Sequence, residues 1–145
     1  MNLKRRQFIA TTSLALAAGA LRLPVAAAAT ESLLERPIPA SGDTIPAIGM
    51  GTSGSFEVGT DAAARDPLRE VLRRFVAGGA RLIDTAPSYG TAESVLGDLL
   101  AELELRDQVF LATKLSSVGR DAGAAQFAQS LARLRTERVE LLQVH

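Results

Sequence analysis

Apolar residues along this chain alternate between short continuous runs and longer stretches of helical spacing. The short runs begin near Ala47, Arg81, Val109 and Val139, at separations of 34, 28 and 30 residues. Between them, apolar residues recur every three or four positions, which is typical of amphipathic helices. Strands and helices that alternate at this period predict a parallel sheet with right-handed crossovers. The pattern alone leaves a closed barrel and an open sheet as alternatives.

Three helices are predicted between these runs. The first begins with Asp66 as N-cap and Pro67 as the first helical residue, and it ends at Gly78-Gly79. Apolar faces indicate the second and the third. Those faces comprise Ala92, Val95, Leu96, Leu99, Leu100 and Leu103 in the second helix, and Ala124, Phe127, Ala128, Leu131 and Leu134 in the third. Ahead of the first run, residues 37–46 contain a Ser41-Gly42 turn, which predicts a small β-hairpin.

Polar chemistry stands where the second apolar run ends. Leu82-Ile83 leads to Asp84, and a Pro-Ser-Tyr-Gly turn then breaks the run and carries Tyr89, the only tyrosine in the chain. In parallel α/β folds, the carboxyl ends of the strands are where catalytic groups are placed. We therefore expect Asp84 at a strand end and Tyr89 in the loop above it.

Three motifs resemble those of the aldo/keto reductases. Residues 81–93 resemble the Asp-x-Ala-x-x-Tyr-Gly signature of that family. Phe110-Leu-Ala-Thr-Lys114 is similar to its strand with the catalytic lysine, and Leu141-Leu-Gln-Val-His145 to its strand that ends in the catalytic histidine. The resemblance covers roughly residues 36–145 and implies a (β/α)8 TIM barrel. Because a whole barrel takes about 250 residues, we interpret the chain as the N-terminal half of one, preceded by an N-terminal β-hairpin.

The resemblance implies an NADPH-dependent oxidoreductase that reduces an aldehyde or ketone to an alcohol. In that scheme Tyr89 delivers the proton, Lys114 is the cation that makes the phenol a better acid, and Asp84 holds Lys114 in place. Tyr89 and His145 both donate hydrogen bonds to the carbonyl oxygen, where charge develops. Each residue taken singly also has a non-catalytic interpretation: Asp84 as a loop cap, Lys114 as a solvated charge and His145 as a structural histidine. Their joint occurrence favours the active site.

Residues around the first strand are expected to meet the cofactor and the substrate. The resemblance places Gly51, Thr52 and Asp84 at the nicotinamide end of NADPH. Many relatives carry an aromatic residue directly after the Gly-Thr pair, and this chain has Ser53 there. We expect Phe56 to wall the pocket for the small carbonyl substrate instead. The alternative function is a catalytically idle nucleotide-binding sensor or partner subunit of the same fold.

A competing motif lies in the same segment. Gly49-Met-Gly51-Thr-Ser-Gly54 is a literal G-x-G-x-x-G, the dinucleotide fingerprint of the Rossmann fold. That fingerprint requires a helix to open on the glycines, so that its N-terminus meets the pyrophosphate. The next helix is predicted only near Pro67, and Asp84 lies 30 residues beyond Gly54 instead of at the expected acidic position. Both observations argue against the Rossmann interpretation.

We predict that residues 1–29 form a targeting segment, a signal peptide, and that residues 30–145 form the folded part. The motif Arg5-Arg6-x-Phe8-Ile9 resembles a twin-arginine export signal. The alternatives are an ordinary Sec signal and a membrane anchor. An anchor needs about 20 strongly apolar residues, whereas this run is short, rich in alanine and interrupted by an arginine. We therefore expect export to the periplasm by the twin-arginine machinery, with the cofactor already bound and without a stable membrane anchor.

Composition excludes several other classes. After the leader, 12 basic and 16 acidic residues remain, and this mildly acidic balance argues against a nucleic-acid partner. The absence of cysteine and the single histidine argue against a zinc or iron–sulfur site. Glu93 is interpreted as an acidic residue in the first turn of a helix, where the helix dipole favours it. The charges of three arginines are interpreted as a solvated helix end: Arg133, Arg135 and Arg138.

As half a barrel, residues 30–145 alone are expected to be inactive.

Overall fold

The computed structural model describes residues 33–145, and the predicted leader at residues 1–29 lies outside the described residues. The elements in chain order are β1 (Glu35–Pro37), β2 (Thr44–Pro46), β3 (Met50–Gly51), α1 (Ala62–Ala77), β4 (Leu82–Asp84), α2 (Ala92–Glu102), β5 (Phe110–Leu115), α3 (Arg120–Arg133) and β6 (Leu141–Val144). A short 3-10 turn at Arg106–Gln108 precedes β5. Among the described helices, none combines the length and the apolar character that a membrane span needs.

The N-terminal hairpin is confirmed. β1 and β2 pair antiparallel with Arg36 opposite Ile45. The turn between them closes through the N–H of Gly42, which donates to the carbonyl of Ile38 at 2.8 Å. Gly42 has a φ of 80°, a conformation that glycine adopts without steric cost.

Strands β3, β4, β5 and β6 form one parallel sheet in that order, so the predicted parallel sheet is confirmed. The register aligns Gly51 with Asp84, Asp84 with Ala112, and Ala112 with Leu141. Each strand pairs with the next in the chain, and one helix fills each crossover. A strand order that proceeds in one direction is the order found around a (β/α)8 barrel.

The core lies between the sheet and its helices, and α2 is its centre. Leu96, Leu99 and Leu100 are fully buried, and α2 packs against α1 on one side and α3 on the other. From the sheet, Ile83 and Leu111 are opposite each other in register and are fully buried in the same cluster. Because side chains alternate along a strand, the neighbours of these two residues point to the opposite face of the sheet. That face carries the polar groups described below.

Helix α1 begins earlier than predicted. Its N-cap is Asp61, whose Oδ1 accepts hydrogen bonds from the N–H groups of Ala63 at 2.9 Å and Ala64 at 3.2 Å. The predicted cap, Asp66, lies inside the helix and pairs with Arg69. Pro67 is also inside the helix, where it lacks one N–H donor. The cap at Asp61 satisfies two of the first N–H groups, and this favours the earlier start. The predicted end at Gly78-Gly79 is confirmed.

Helix α3 is where the sequence predicts it, but its buried face is displaced. Phe127 and Leu131 are partly buried and Leu134 is fully buried, whereas Ala124 and Ala128 are exposed. The buried positions within the helix are Gly123 and Ser130. Small residues let α3 approach β5 and α2 closely, and a hydrophobicity pattern does not detect them because they carry little apolar surface.

Candidate active site

Asp84 and Lys114 form an ion pair at the carboxyl end of the parallel sheet. Asp84 is the last residue of β4, and Lys114 lies on β5 two positions beyond the register partner of Asp84. The ammonium nitrogen Nζ of Lys114 donates to Oδ2 of Asp84 at 2.5 Å and to the carbonyl oxygen of Thr85 at 2.9 Å. The Lys114 side chain is only 12% exposed. Charge-assisted hydrogen bonds to a lysine that is largely shielded from solvent restrict its ammonium group to one position.

Tyr89 and His145 stand over this pair. Nζ of Lys114 lies over the ring of Tyr89, 5.0 Å from its centroid. The rings of Tyr89 and His145 meet edge to face, with centroids 6.0 Å apart and an interplanar angle of 89°. His145 follows β6, and its N–H donates to the carbonyl of Leu115 at 2.8 Å. The structure therefore brings together all four residues predicted from the sequence.

The loop after β4 presents Tyr89 in this position. The N–H of Tyr89 donates to the carbonyl of Ala86 at 3.1 Å, and the carbonyl of Tyr89 accepts from the N–H of Ala92 at 2.8 Å. Gly90 has a φ of 47°, which favours glycine at the exit of the turn. Within residues 33–145, the phenolic hydroxyl of Tyr89 forms no hydrogen bond. It is therefore free to donate to a ligand.

Ser88 and Gln143 are site residues that the sequence analysis missed. Oγ of Ser88 lies 3.4 Å from Nδ1 of His145. When the Ser88 hydroxyl is the donor, Nδ1 of His145 is the acceptor. The neutral His145 ring then carries its proton on Nε2, the nitrogen directed away from Ser88. Nε2 of Gln143 donates to Oδ1 of Asp84 at 3.0 Å. Gln143 shares a strand face with His145 because the two are separated by two positions, and this alternation was a usable signal.

The end of β3 supports Asp84 through its backbone. The N–H and the Oγ1 hydroxyl of Thr52 both donate to the carbonyl oxygen of Asp84, each at 3.1 Å. Thr52 is fully buried, and its hydroxyl is engaged in this contact. Gly51 is different, because a Cβ added there would meet no atom within 4 Å. Of the residues expected at the cofactor, Gly51 thus has open space beside it.

The structure contradicts the expected exposure of Phe56. Its side chain is 1% exposed and belongs to the hydrophobic core. The loop after β3 folds back on itself, because the N–H of Phe56 donates to the carbonyl of Thr52 at 3.1 Å. The N–H of Gly54 also donates to Oε1 of Glu57 at 2.8 Å. This tight loop turns the ring inward, so Phe56 does not line an open pocket.

Glu93 is more than a first-turn helix acid. It is 2% exposed, its Oε1 accepts from the hydroxyl of buried Thr113 at 2.8 Å, and its Oε2 pairs with Arg133 at 3.3 Å. The arginines of the predicted solvated helix end are exposed, as expected, and they also form ion pairs. These pairs are Arg133 with Glu93, Arg135 with Asp98, and Arg138 with Asp107 and Glu140. Two of these carboxylates, Glu93 and Asp98, are on α2, so their ion pairs connect the end of α3 to α2.

The glycine-rich segment does not form a Rossmann phosphate site. Helix α1 starts at Ala62, eight residues after Gly54, and its N-terminus is occupied by the side chain of Asp61. Helix α1 therefore does not open on the glycines, as the Rossmann fingerprint requires. In the part of the chain that the structure describes, no group of three or more histidine, cysteine or acidic residues could hold a metal ion.

Comparison with known proteins identifies the family. Residues 47–145 match the Aldo/keto reductase family. This chain therefore belongs to the aldo/keto reductases. Aldo-keto reductase YhdN of Bacillus subtilis is 37% identical in an alignment of 113 residues that covers 68% of this chain and 33% of that protein. Methylglyoxal reductase YeaE of Escherichia coli is 37% identical in an alignment of 110 residues that covers 72% of this chain and 37% of that protein. The chain spans about a third of the length of these curated relatives.

Solved structures of the same family share this fold. An aldo/keto reductase of Klebsiella pneumoniae in complex with NADP and acetate superposes with a TM-score of 0.63 at 33% identity, over 72% of this chain and 36% of that chain. A second, in complex with NADPH, has a TM-score of 0.66 at 30% identity, over 78% of this chain and 40% of that chain. The described residues thus have the fold of the N-terminal half of a (β/α)8 barrel, and the open-sheet alternative is excluded. Both neighbours contain the cofactor type expected from the sequence.

Proposed function

We propose that the full-length protein is an NADPH-dependent oxidoreductase that reduces an aldehyde or ketone to the alcohol. The observation that carries this proposal is the position of the Tyr89 phenol. Its ring lies 5.0 Å from the Lys114 ammonium and 6.0 Å from the His145 ring, at the carboxyl end of the sheet. Membership of the aldo/keto reductase family supports the same reaction class.

The residues present fit a nicotinamide cofactor. Gly51 has open space beside it, at the register position next to Asp84. Asp84, Lys114, Tyr89 and His145 converge on the same end of the sheet, where a carbonyl group needs hydrogen-bond donors. When bound, NADPH supplies the hydride that reduces the carbonyl carbon.

The residues of this chain supply the proton and control the charge on the oxygen. Tyr89 donates a hydrogen bond to the carbonyl oxygen and transfers its proton there as the carbon is reduced. The Lys114 ammonium stabilises the phenolate that this transfer leaves behind, because opposite charges attract strongly where water is scarce. Asp84 holds the Lys114 ammonium over the Tyr89 ring. Nε2–H of His145 provides a second donor to the oxygen, in the tautomer that a hydrogen bond from Ser88 favours.

The test is Tyr89→Phe in the full-length protein. This change removes the acidic hydroxyl and keeps the ring, so the packing against Lys114 and His145 is retained. We expect turnover to fall by about 10²- to 10⁴-fold, the usual contribution of a positioned acid. NADPH affinity, measured by fluorescence titration, should change little. Because one relative is a methylglyoxal reductase, methylglyoxal is a suitable first substrate in a panel of aldehydes and ketones.

Two results would contradict this proposal. A Tyr89→Phe variant that reduces carbonyls at the wild-type rate would exclude Tyr89 as the acid. A wild-type protein that binds NADPH but reduces no carbonyl in the panel would favour the alternative of a nucleotide-binding sensor or partner subunit.

We also propose that the protein is exported to the periplasm by the twin-arginine route, because Arg5 and Arg6 stand in the matching motif. Replacing both by lysine keeps the charge and removes the guanidinium geometry. The full-length variant should then remain in the cytoplasm, as measured by fractionation and immunoblotting. Periplasmic recovery equal to the wild type would instead indicate a Sec signal.

A further inference from the structure

The two carboxylate oxygens of Asp84 have different partners. Oδ2 accepts from the Lys114 ammonium at 2.5 Å, and Oδ1 accepts from the side-chain amide of Gln143 at 3.0 Å. The family resemblance and the ion pair account for the first contact only. The second contact joins residues that are 59 positions apart in the chain.

Gln143 reaches Asp84 from two strands away. Asp84 is on β4 and Gln143 is on β6, and between them lies β5, where Lys114 is the register partner of Gln143. The main chain of Asp84 is held from the other side, because Thr52 donates twice to its carbonyl oxygen. Asp84 is therefore fixed at both its backbone and its side chain.

A neutral donor suits this position. A carboxylate with one unpaired oxygen can rotate about its Cβ–Cγ bond, and the flexible lysine side chain can follow it. An amide N–H on Oδ1 prevents that rotation without bringing a second positive charge that would compete with Lys114 for the carboxylate. Three other titratable groups surround this contact. Lys114 is on β5, Tyr89 is in the loop after β4, and His145 follows β6. From the loop after β3, the carboxylate of Glu57 lies against Gly90.

We propose that Gln143 is a positioning residue for carbonyl reduction. It fixes the Asp84 carboxylate so that Oδ2 faces Lys114, and Lys114 in turn stays over the ring of Tyr89. Gln143 acts through Asp84 and not on the substrate itself. This inference rests on the proposed function, because it concerns how the same site is held in its reactive arrangement.

Two substitutions in the full-length protein test the role by kinetics. Gln143→Met keeps the length of the side chain and removes the donor. We expect kcat to fall by about 10- to 150-fold, the equivalent of one lost hydrogen bond to a charged group, while KM and NADPH affinity change less than twofold. Gln143→Glu keeps the shape, but it donates to Asp84 only when one of the two carboxylates is protonated. Its rate should approach the wild-type rate at acidic pH and fall as the pH rises, because two adjacent carboxylates repel each other.

Gln126→Met is the matched control. Gln126 is also a hydrogen-bonded glutamine, whose Oε1 accepts from the N–H groups of Ser116 and Ser117 at 2.9 and 3.0 Å. Its loss should lower the unfolding temperature without changing the pH profile of the reduction. If Gln143 has only a structural role, its variants will behave like Gln126→Met.

A measurement independent of turnover separates this inference from the proposed function. The ammonium protons of Lys114 can be followed by ¹⁵N NMR, with Lys114→Met to assign the signal. Their exchange with water should accelerate severalfold in Gln143→Met and stay unchanged in Gln126→Met. Unchanged exchange, or an unchanged pH profile in an active Gln143→Glu variant, would overturn the positioning role. A wild-type protein without reductase activity would overturn the proposed function, whatever the exchange rates show.

Discussion

Glu93 on α2 accepts a hydrogen bond from the hydroxyl of Thr113 on β5 at 2.8 Å, in a fully buried setting. Thr113 directly precedes Lys114 on β5, so their side chains point to opposite faces of the sheet. Thr113 faces α2 and contacts Glu93, whereas Lys114 faces the candidate site and contacts Asp84. Arg133 completes the cluster from α3 at 3.3 Å. The contact thus ties α2, α3 and β5 together directly behind the ion pair of the candidate site.

Arg133→Met should destabilise the full-length protein. It leaves the Glu93 carboxylate buried with only the Thr113 hydroxyl as a partner, and removing one member of a buried pair exposes the desolvation cost of the other. Because the Arg133 side chain is 41% exposed, we expect a moderate loss of about 1–3 kcal/mol. The free energy of unfolding of both proteins is measured by urea denaturation. Arg120→Met, an exposed arginine of the same helix, should change stability by less than about 0.5 kcal/mol; an equal loss in both variants would contradict the role of the buried pair.

Gly97→Ala and Gly123→Ala should have effects of opposite sign. A Cβ on Gly97 would meet the carbonyl of Arg133 and lie 2.6 Å from Cα of Leu134, where backbone atoms cannot easily move. We expect a loss of about 1–3 kcal/mol from this overlap. A Cβ on Gly123 would lie 3.9 Å from Cδ1 of Leu115, an ordinary contact. Alanine there should stabilise α3 by about 0.5–1 kcal/mol. Denaturant midpoints compare the two, and stabilisation by Gly97→Ala would contradict the close approach of α2 to α3.

The ion pair between Arg69 on α1 and Glu102 on α2 should make stability depend on pH. The hydrogen bond from Arg69 is the main cause that lowers the pKa of Glu102 below its usual 4.5. A depressed folded-state pKa contributes stability that is present above the unfolded pKa and is lost as the pH falls through the folded pKa. The unfolding temperature of Arg69→Met should therefore lie slightly below that of the wild type near neutral pH, with the difference shrinking below about pH 4.5.

A matched variant isolates the connection between the helices. Arg74→Met removes an exposed pair with Glu70 that lies within α1 alone, and Arg74 likewise lowers the pKa of Glu70. Both effects should be small, because exposed pairs contribute little. A difference between Arg69→Met and the wild type that persists unchanged at low pH would show that packing, and not charge, is the contribution of Arg69.

A protein that consists of residues 30–145 alone should self-associate and lack reductase activity. Strand β6 exposes Leu141, Leu142 and Val144 at 42%, 40% and 93% of their surface, and strand edges with exposed apolar side chains favour association. Light scattering, thermal unfolding and NADPH titration check this. A monomer that unfolds cooperatively and binds NADPH at micromolar concentration would contradict the expectation.

Local patterns in the sequence determined the elements of this protein and the ends of its strands. Side chains return to the same face every three to four residues in a helix and every two residues in a strand, so the spacing of apolar residues predicts α2, β4 and β5 directly. The family motifs, each placed on a strand end, predicted that Asp84, Tyr89, Lys114 and His145 meet. Parallel strands bring their carboxyl ends to one edge, and this geometry makes such a prediction possible.

Only the tertiary structure decided which side chains pair across elements. The contact of Gln143 with Asp84 spans 59 positions and that of Glu93 with Arg133 spans 40. Phe56 lies in the core because its loop folds back on Thr52. Helix α1 begins at Ala62 because the side chain of Asp61 caps two of its first N–H groups. Such outcomes depend on the distances and crossing of packed elements. The spacing of residues along the sequence does not specify these distances and crossing angles, because they are set by the close packing of the whole core.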